Sequence, residues 1–168
     1  KTDGSAQFTI DIVRPGMRYA AIAHPPKFGA VAASFDATAV RAMPGVVDVV
    51  EVPRGIAVLA DSFWTAKQAR DALNIEWDES NAETRGSDAL MADFKALAAA
   101  DGAPRARDDG DVETAFANAS QVVEQTFELP YLAHATMEPM DCVVELSEDR
   151  CEIWTGSQIQ TLDQGAAA

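Results

Sequence analysis

The 168 residues are 48% hydrophobic and 24% charged, a globular balance that excludes a disordered chain. Acids outnumber bases 27 to 13, and the resulting −14 repels phosphate backbones and anionic bilayers, so neither nucleic acid nor a membrane surface is an expected partner. No apolar run approaches the roughly 20 residues of a membrane helix, so no membrane insertion is expected, and the polar opening Lys1-Thr2-Asp3-Gly4-Ser5 does not read as a signal peptide.

The charge is unevenly spread. Residues 1–75 hold 7 acids and 8 bases, residues 76–128 hold 13 and 4, and residues 129–168 hold 7 and 1. The step at Glu76 marks a candidate boundary. Before it, Phe8 to Ile12 alternates apolar and polar, which predicts a strand. Pro15-Gly16 is a turn, and Met17 to His24 reads as the returning strand of a hairpin, stopped by Pro25-Pro26. Ala30 to Phe35 is a third strand, and Asp36 is placed to cap a short helix over Ala37–Met43 that ends at Pro44-Gly45. Val46 to Val52 is strongly β-branched. Ile56 to Ala60 is apolar throughout, as a strand buried on both faces would be. Asp61 or Ser62 caps a helix over Phe63–Leu73, with Phe63, Ala66, Ala69 and Leu73 on one face, and Asn74 to Asp78 alternates again. This order predicts an α+β domain with helices covering a mixed sheet.

Beyond Asp78 a polar linker leads to a helix capped at Ser87 and running to about Ala100, with Leu90, Met91, Phe94, Leu97 and Ala98 at helical spacing. Asp111 caps a short helix over Val112–Ala119. Gln121 to Glu128 alternates as a strand, Val143–Leu146 and Glu152–Trp154 frame a hairpin, and Gln160 to Ala168 starts a helix without an end signal.

Chemistry-bearing residues are few. Cys142 and Cys151 have no CxxC spacing and read as free core thiols, and with only His24 and His134 beside them no metal-ligand pattern is present. Asp108-Asp109-Gly110-Asp111 lacks the alternating acids and terminal Glu of a calcium loop, and reads as a solvated capping loop. Ser157, His134 and Asp141 have no nucleophile elbow around them. Neither a G-x-G-x-x-G nor a phosphate-binding P-loop pattern occurs. What stands out is Pro130 to Met140, with His134 and Glu138 four apart and Pro139 beside them, followed by Trp154-Thr155-Gly156-Ser157-Gln158. By spacing alone, His134 and Glu138 are structural hydrogen bonders and Gln158 is a loop-end amide. A neutral amide in that position can also donate to an oxygen without adding charge.

At these residues the sequence resembles the xanthine dehydrogenase/aldehyde oxidase family of molybdenum hydroxylases, most of all the molybdopterin-binding (beta) subunit of the isoquinoline 1-oxidoreductase type. Pro15-Gly16-Met17 through His24-Pro25-Pro26, Met43 to Val50, Val58 to Asp61 with Phe63 to Ala66, and Ile75 to Asp78 resemble that family's a/b hammerhead domain. Tyr131 to Asp141 and Trp154 to Gln158 resemble the start of its molybdenum-cofactor domain.

The resemblance implies an a/b hammerhead domain over 1–78, a helical connector over 79–120, and over 121–168 the β-rich beginning of the molybdopterin-binding domain. It implies a redox enzyme that hydroxylates an aldehyde or an N-heterocycle with oxygen from water and passes electrons to a small [2Fe-2S] subunit. The cofactor would be a molybdopterin, in bacteria often in its cytosine dinucleotide form. Gln158, with Gly156 and Ser157, matches the segment whose glutamine hydrogen-bonds an oxo ligand of molybdenum in the family. His134, Glu138 and Pro139 match a recurrent structural motif, in which Glu138 is expected to anchor the turn.

The family's Phe-Gly loop and its glutamate base match nothing in these 168 residues. A hydroxylation without that base has no activated nucleophile. The chain is therefore expected to be a piece of a large subunit: inactive alone, holding no cofactor alone, and partnered first by the rest of that subunit. The compartment stays open between cytoplasm and periplasm. The competing expectation is a stand-alone acidic protein-interaction module that shares the fold.

Overall fold

In the computed structural model, which describes residues 2–168, Gly55–Ala60 takes the place its composition demands. It is the central strand, β4, of a three-stranded antiparallel sheet. β1 (Tyr19–Ala23) lies on one side and β3 (Val46–Val52) on the other. Ile56, Val58 and Ala60 are fully buried, because both edges of β4 are paired and both faces are covered. Gly55 opens the strand at φ +146°, and a Cβ there would fall 2.0 Å from the carbonyl oxygen of Ala23, so only glycine fits.

A second, two-stranded ribbon pairs β2 (Val31–Asp36) with β5 (Asn74–Asp78), setting Phe35 opposite Ile75. Both residues pack against the core formed by Ala37, Val40, Val49, Ile56, Val58 and Ala69. Helix α1 (Thr38–Arg41) packs on β3, and Arg41 ties the two together by donating to the carbonyl of Val49. Helix α2 (Phe63–Asp71) lies across β1, β4 and β3. Ser62 caps it by accepting from the Thr65 amide at 3.1 Å. Its buried face is Ala66 and Ala69, small enough for close approach to the sheet, while Phe63 of the expected face points outward at 56% exposure.

The remaining elements are α3 (Ser87–Ala99), α4 (Val112–Asn118), β6 (Cys142–Leu146), β7 (Cys151–Thr155) and α5 (Gln160–Ala167). β6 and β7 form the expected hairpin, with Val143 opposite Trp154. The architecture is mixed helix and sheet, in line with the α+β expectation.

Several local expectations need correction. Phe8–Ile12 is not a strand: Thr9–Asp11 makes one 3-10 turn, and Asp11 accepts from the Phe8 amide at 2.9 Å, taking the donor a strand partner would need. β1 therefore pairs with β4, not with residues 8–12. Gln121–Glu128 has strand-like alternation but no ladder, because no strand edge among the described residues meets it. Helix α1 starts one residue later than expected, and Asp36 instead accepts from the Thr38 amide at 2.9 Å. Helix α3 begins after Gly86, without a side-chain cap from Ser87. Cys142 and Cys151 are free, but they are exposed and not core thiols: they sit at opposite ends of the hairpin, facing Thr155 and Leu146 across it.

No helix among the described residues is long and apolar enough to cross a membrane.

Candidate functional site

The turn that follows β7 gathers most of the singled-out residues. Gly156 leaves the strand and Ser157 starts the approach to α5. The Ser157 hydroxyl donates to the Asp163 carboxylate and accepts from the Ile159 amide at 3.2 Å, while its carbonyl accepts from the Gln160 side chain at 3.3 Å. Gln158 is thereby held at the head of α5, exposed, and its side chain has no hydrogen-bond partner among the described residues.

Glu138 is the neighbour of this turn. A Cβ at Gly156 would lie 3.3 Å from Glu138 Oε2, so the half-buried carboxylate occupies the space that a side chain would need. Its other oxygen, Oε1, accepts from the backbone amide of Thr9 at 3.4 Å, and Thr9 is buried. Thr136 Oγ1 donates to the Glu138 carbonyl at 2.9 Å and closes the turn that Pro139 follows. Beside them, Asp141 accepts from Thr155 Oγ1 through its carbonyl at 3.1 Å, and its Oδ1 is buried without a partner.

The structure therefore brings Glu138 and Gly156 together and leaves His134 out. His134 is exposed, and its ring has no hydrogen-bond partner among the described residues. Ser157 is committed to Asp163, which removes it from any pairing with His134. Asp111 caps α4 by accepting from the Thr114 amide at 2.9 Å, and hydrogen bonds from Thr114 hold its carboxyl below the usual range, as a solvated capping loop requires. Among the described residues no three His, Cys, Asp or Glu side chains stand together as metal ligands.

One feature of the neighbourhood had no signal in the sequence. The 3-10 turn and the strap after it lie on the β6–β7 hairpin, leaving a shallow open groove of about 300 Å³ between Gln7, Phe8, Thr9 and Ile12 on one side and Ile153, Trp154 and Thr155 on the other. Arg14 fastens the strap: its Nε lies 2.6 Å from Glu145 Oε2, and its guanidinium stands 5.3 Å from the centre of the Trp154 ring. The hydrogen bond from Arg14 holds the Glu145 carboxyl below the ordinary range. These partners are 129 and 131 residues apart in the chain, beyond any spacing argument.

Comparison with known proteins bears on this half of the molecule first. Residues 98–168 match the molybdopterin cofactor-binding domain family. The resemblance to molybdopterin-binding subunits is borne out. The beta subunit of isoquinoline 1-oxidoreductase from Brevundimonas diminuta is 29% identical over 179 residues, covering 100% of this chain and 23% of that protein. A nicotinate dehydrogenase subunit of Pseudomonas putida is 26% identical over 94% of this chain and 14% of its own length. A membrane-bound aldehyde dehydrogenase of Gluconacetobacter polyoxogenes is 30% identical over 96% of this chain and 22% of its length, and its name carries pyrroloquinoline quinone. The chain thus spans less than a quarter of each of these oxidoreductases. The crystal structure of quinoline 2-oxidoreductase from Pseudomonas putida 86 superimposes with a TM-score of 0.63 at 20% identity, covering 96% of this chain and 26% of that one. This chain therefore shares the fold of part of that structure over nearly all of its length.

Proposed function

We propose that the chain is the a/b hammerhead domain (1–78), helical connector (79–120) and first cofactor-domain segment (121–168) of a molybdenum hydroxylase large subunit. That subunit would oxidise an aldehyde or an N-heterocycle, take its oxygen from water, and pass electrons to a [2Fe-2S] partner. The observation that carries this reading is the unengaged amide of Gln158, held exposed by the Gly156–Ser157 turn inside the segment that matches the cofactor-binding family.

When bound, a molybdopterin, in its cytosine dinucleotide form on this proposal, supplies the redox chemistry. The residues present suit one end of it. Gln158 offers a neutral donor that can follow a changing charge without reorganising, as preorganised amides do elsewhere. Ser157 fixes the backbone on which Gln158 stands, by accepting from the Ile159 amide. Arg150, the one Lys or Arg among residues 129–168, is paired with Glu152 and is not free for the anionic phosphate end. The remaining contacts, and the base that activates water, belong on this reading to the rest of the large subunit.

Replacing Gln158 tests the reading. In the full-length, cofactor-loaded protein, Gln158→Ala should lower kcat by roughly a hundredfold, the cost of losing one preorganised donor. Molybdenum content should be retained. Unchanged turnover in Gln158→Ala would remove Gln158 from the site.

A further inference from the structure

We propose that Glu138 is a positioning residue for Gln158: its carboxylate, hydrogen-bonded to the Thr9 amide and filling the space beside Gly156 that a side chain would take, sets the turn that presents the Gln158 amide. This inference rests on the reading of Gln158 given above.

The geometry has three parts. Oε1 accepts from Thr9 at 3.4 Å, and Thr9 is only 6% exposed, so that oxygen points into a covered seam between the strap and the hairpin. Oε2 faces the bare Cα of Gly156, where a Cβ would stand at 3.3 Å, closer than ordinary side-chain contact. The Glu138 backbone is held in turn by Thr136. Moving the carboxylate away from Thr9 breaks that hydrogen bond, and the space it fills over Gly156 is open only because residue 156 has no Cβ. Gln158 stands two residues beyond Gly156, with no side-chain partner of its own among the described residues to fix it. Whatever sets the direction of the chain at Gly156 sets where the Gln158 amide points.

A second consequence concerns the strap. Glu138 is where residues 7–14 communicate with the turn. Arg14 clamps the strap to Glu145 and Trp154 on the hairpin, and Thr9 delivers its amide to Glu138. The N-terminal segment thus acts as a back-stop for the Gln158 turn and is not a strand of the hammerhead sheet.

The experiment uses the full-length, cofactor-loaded protein. It compares Glu138→Ala, Glu138→Gln, Gly156→Ala, Gln158→Ala and the double variant Glu138→Ala/Gln158→Ala. Hydrogen exchange of the peptide spanning 156–160 should quicken about tenfold in Glu138→Ala, while the 142–155 hairpin keeps its protection, because only a local opening is released. Glu138→Gln keeps an acceptor for Thr9 and should lie nearer the parent. Gly156→Ala displaces the same contact and should resemble Glu138→Ala.

In turnover, Glu138→Ala should lower kcat by roughly ten- to a hundredfold with KM unchanged, the cost of a misplaced group. The double variant should fall no further than Gln158→Ala. The proposal is overturned if the 156–160 peptide exchanges as in the parent, if the whole hairpin loosens with it, or if the two losses of kcat multiply. Should Glu138→Ala fail to fold, Gly156→Ala and Glu138→Gln carry the same comparison. The two readings fail separately. If Gln158→Ala turns over like the parent while exchange at 156–160 responds to Glu138, the positioning of the turn stands and the role of Gln158 falls. If Gln158→Ala loses turnover while exchange is indifferent to Glu138, the reverse holds.

Discussion

Residues 19–78 and residues 79–168 are built on opposite principles. Every buried residue among those described lies at or before Ala69, most of them around β4, whereas nothing in the second stretch reaches full burial. Phe127, Leu129, Tyr131 and Leu132 are 77–80% exposed, and Met137 is fully exposed. The contacts that segment does make are sparse: Phe94 meets Tyr131 edge to face at 6.4 Å, and Lys95 pairs with Glu128 at 2.5 Å. Both halves have apolar residues enough for a core. The difference teaches that apolar content builds a core only where elements exist to close over it. The first half has two sheets and two helices to do so. In the second half, a hairpin and three helices stand apart around an extended stretch. An exposed apolar run such as Phe127 to Leu132 suits a contact face. On the proposed function, its occupant is the rest of the large subunit.

The comparison makes unequal predictions for the two halves. Ile56→Ala removes a fully buried side chain from the strand that both edges and both faces enclose. It should cost about 2–5 kcal/mol of unfolding free energy in chemical denaturation followed by far-ultraviolet circular dichroism. Phe127→Ala, a larger deletion at 80% exposure, should stay within about 0.5 kcal/mol in the same experiment. Equal losses would mean that the second half is closed in solution.

A smaller effect is expected where the 7–14 strap meets the second half. Arg14 holds the Glu145 carboxyl below its ordinary range, so the ion pair contributes fully above the usual glutamate value of about 4.3 and is lost as pH falls through the lowered folded value. Exposure of both groups keeps the contribution modest. Acidification below about pH 4 should therefore speed proteolysis of the 7–14 strap, and Arg14→Ala should abolish that acid dependence. A strap whose cleavage ignores both pH and Arg14 would show that the clamp does not hold it.

Legibility in the sequence followed the same division. The β-branched run at 46–52, the uninterrupted apolar run at 56–60 and the Ser62 cap are local signals, and each became the element it announced. Alternation failed twice, at 8–12 and 121–128, because it states only that one face seeks cover and not that a strand edge is available. Asp11 turned the first segment into a helical turn, and the second found no partner strand. At the site, Gly156, Ser157 and Gln158 were legible as a turn after a strand. The contact of Glu138 with Thr9 and the Arg14–Glu145–Trp154 clamp were not, since they join residues well over a hundred positions apart and depend on the fold that sets them side by side.

The most direct test is hydrogen exchange measured on the 168-residue chain alone and again within the longer large subunit of the proposed function. Residues 19–78 should be protected in both, while residues 119–168 should exchange freely in the chain alone and become protected in the full-length protein. Equal protection of 119–168 in the two samples would contradict the claim that this half is one side of an interface.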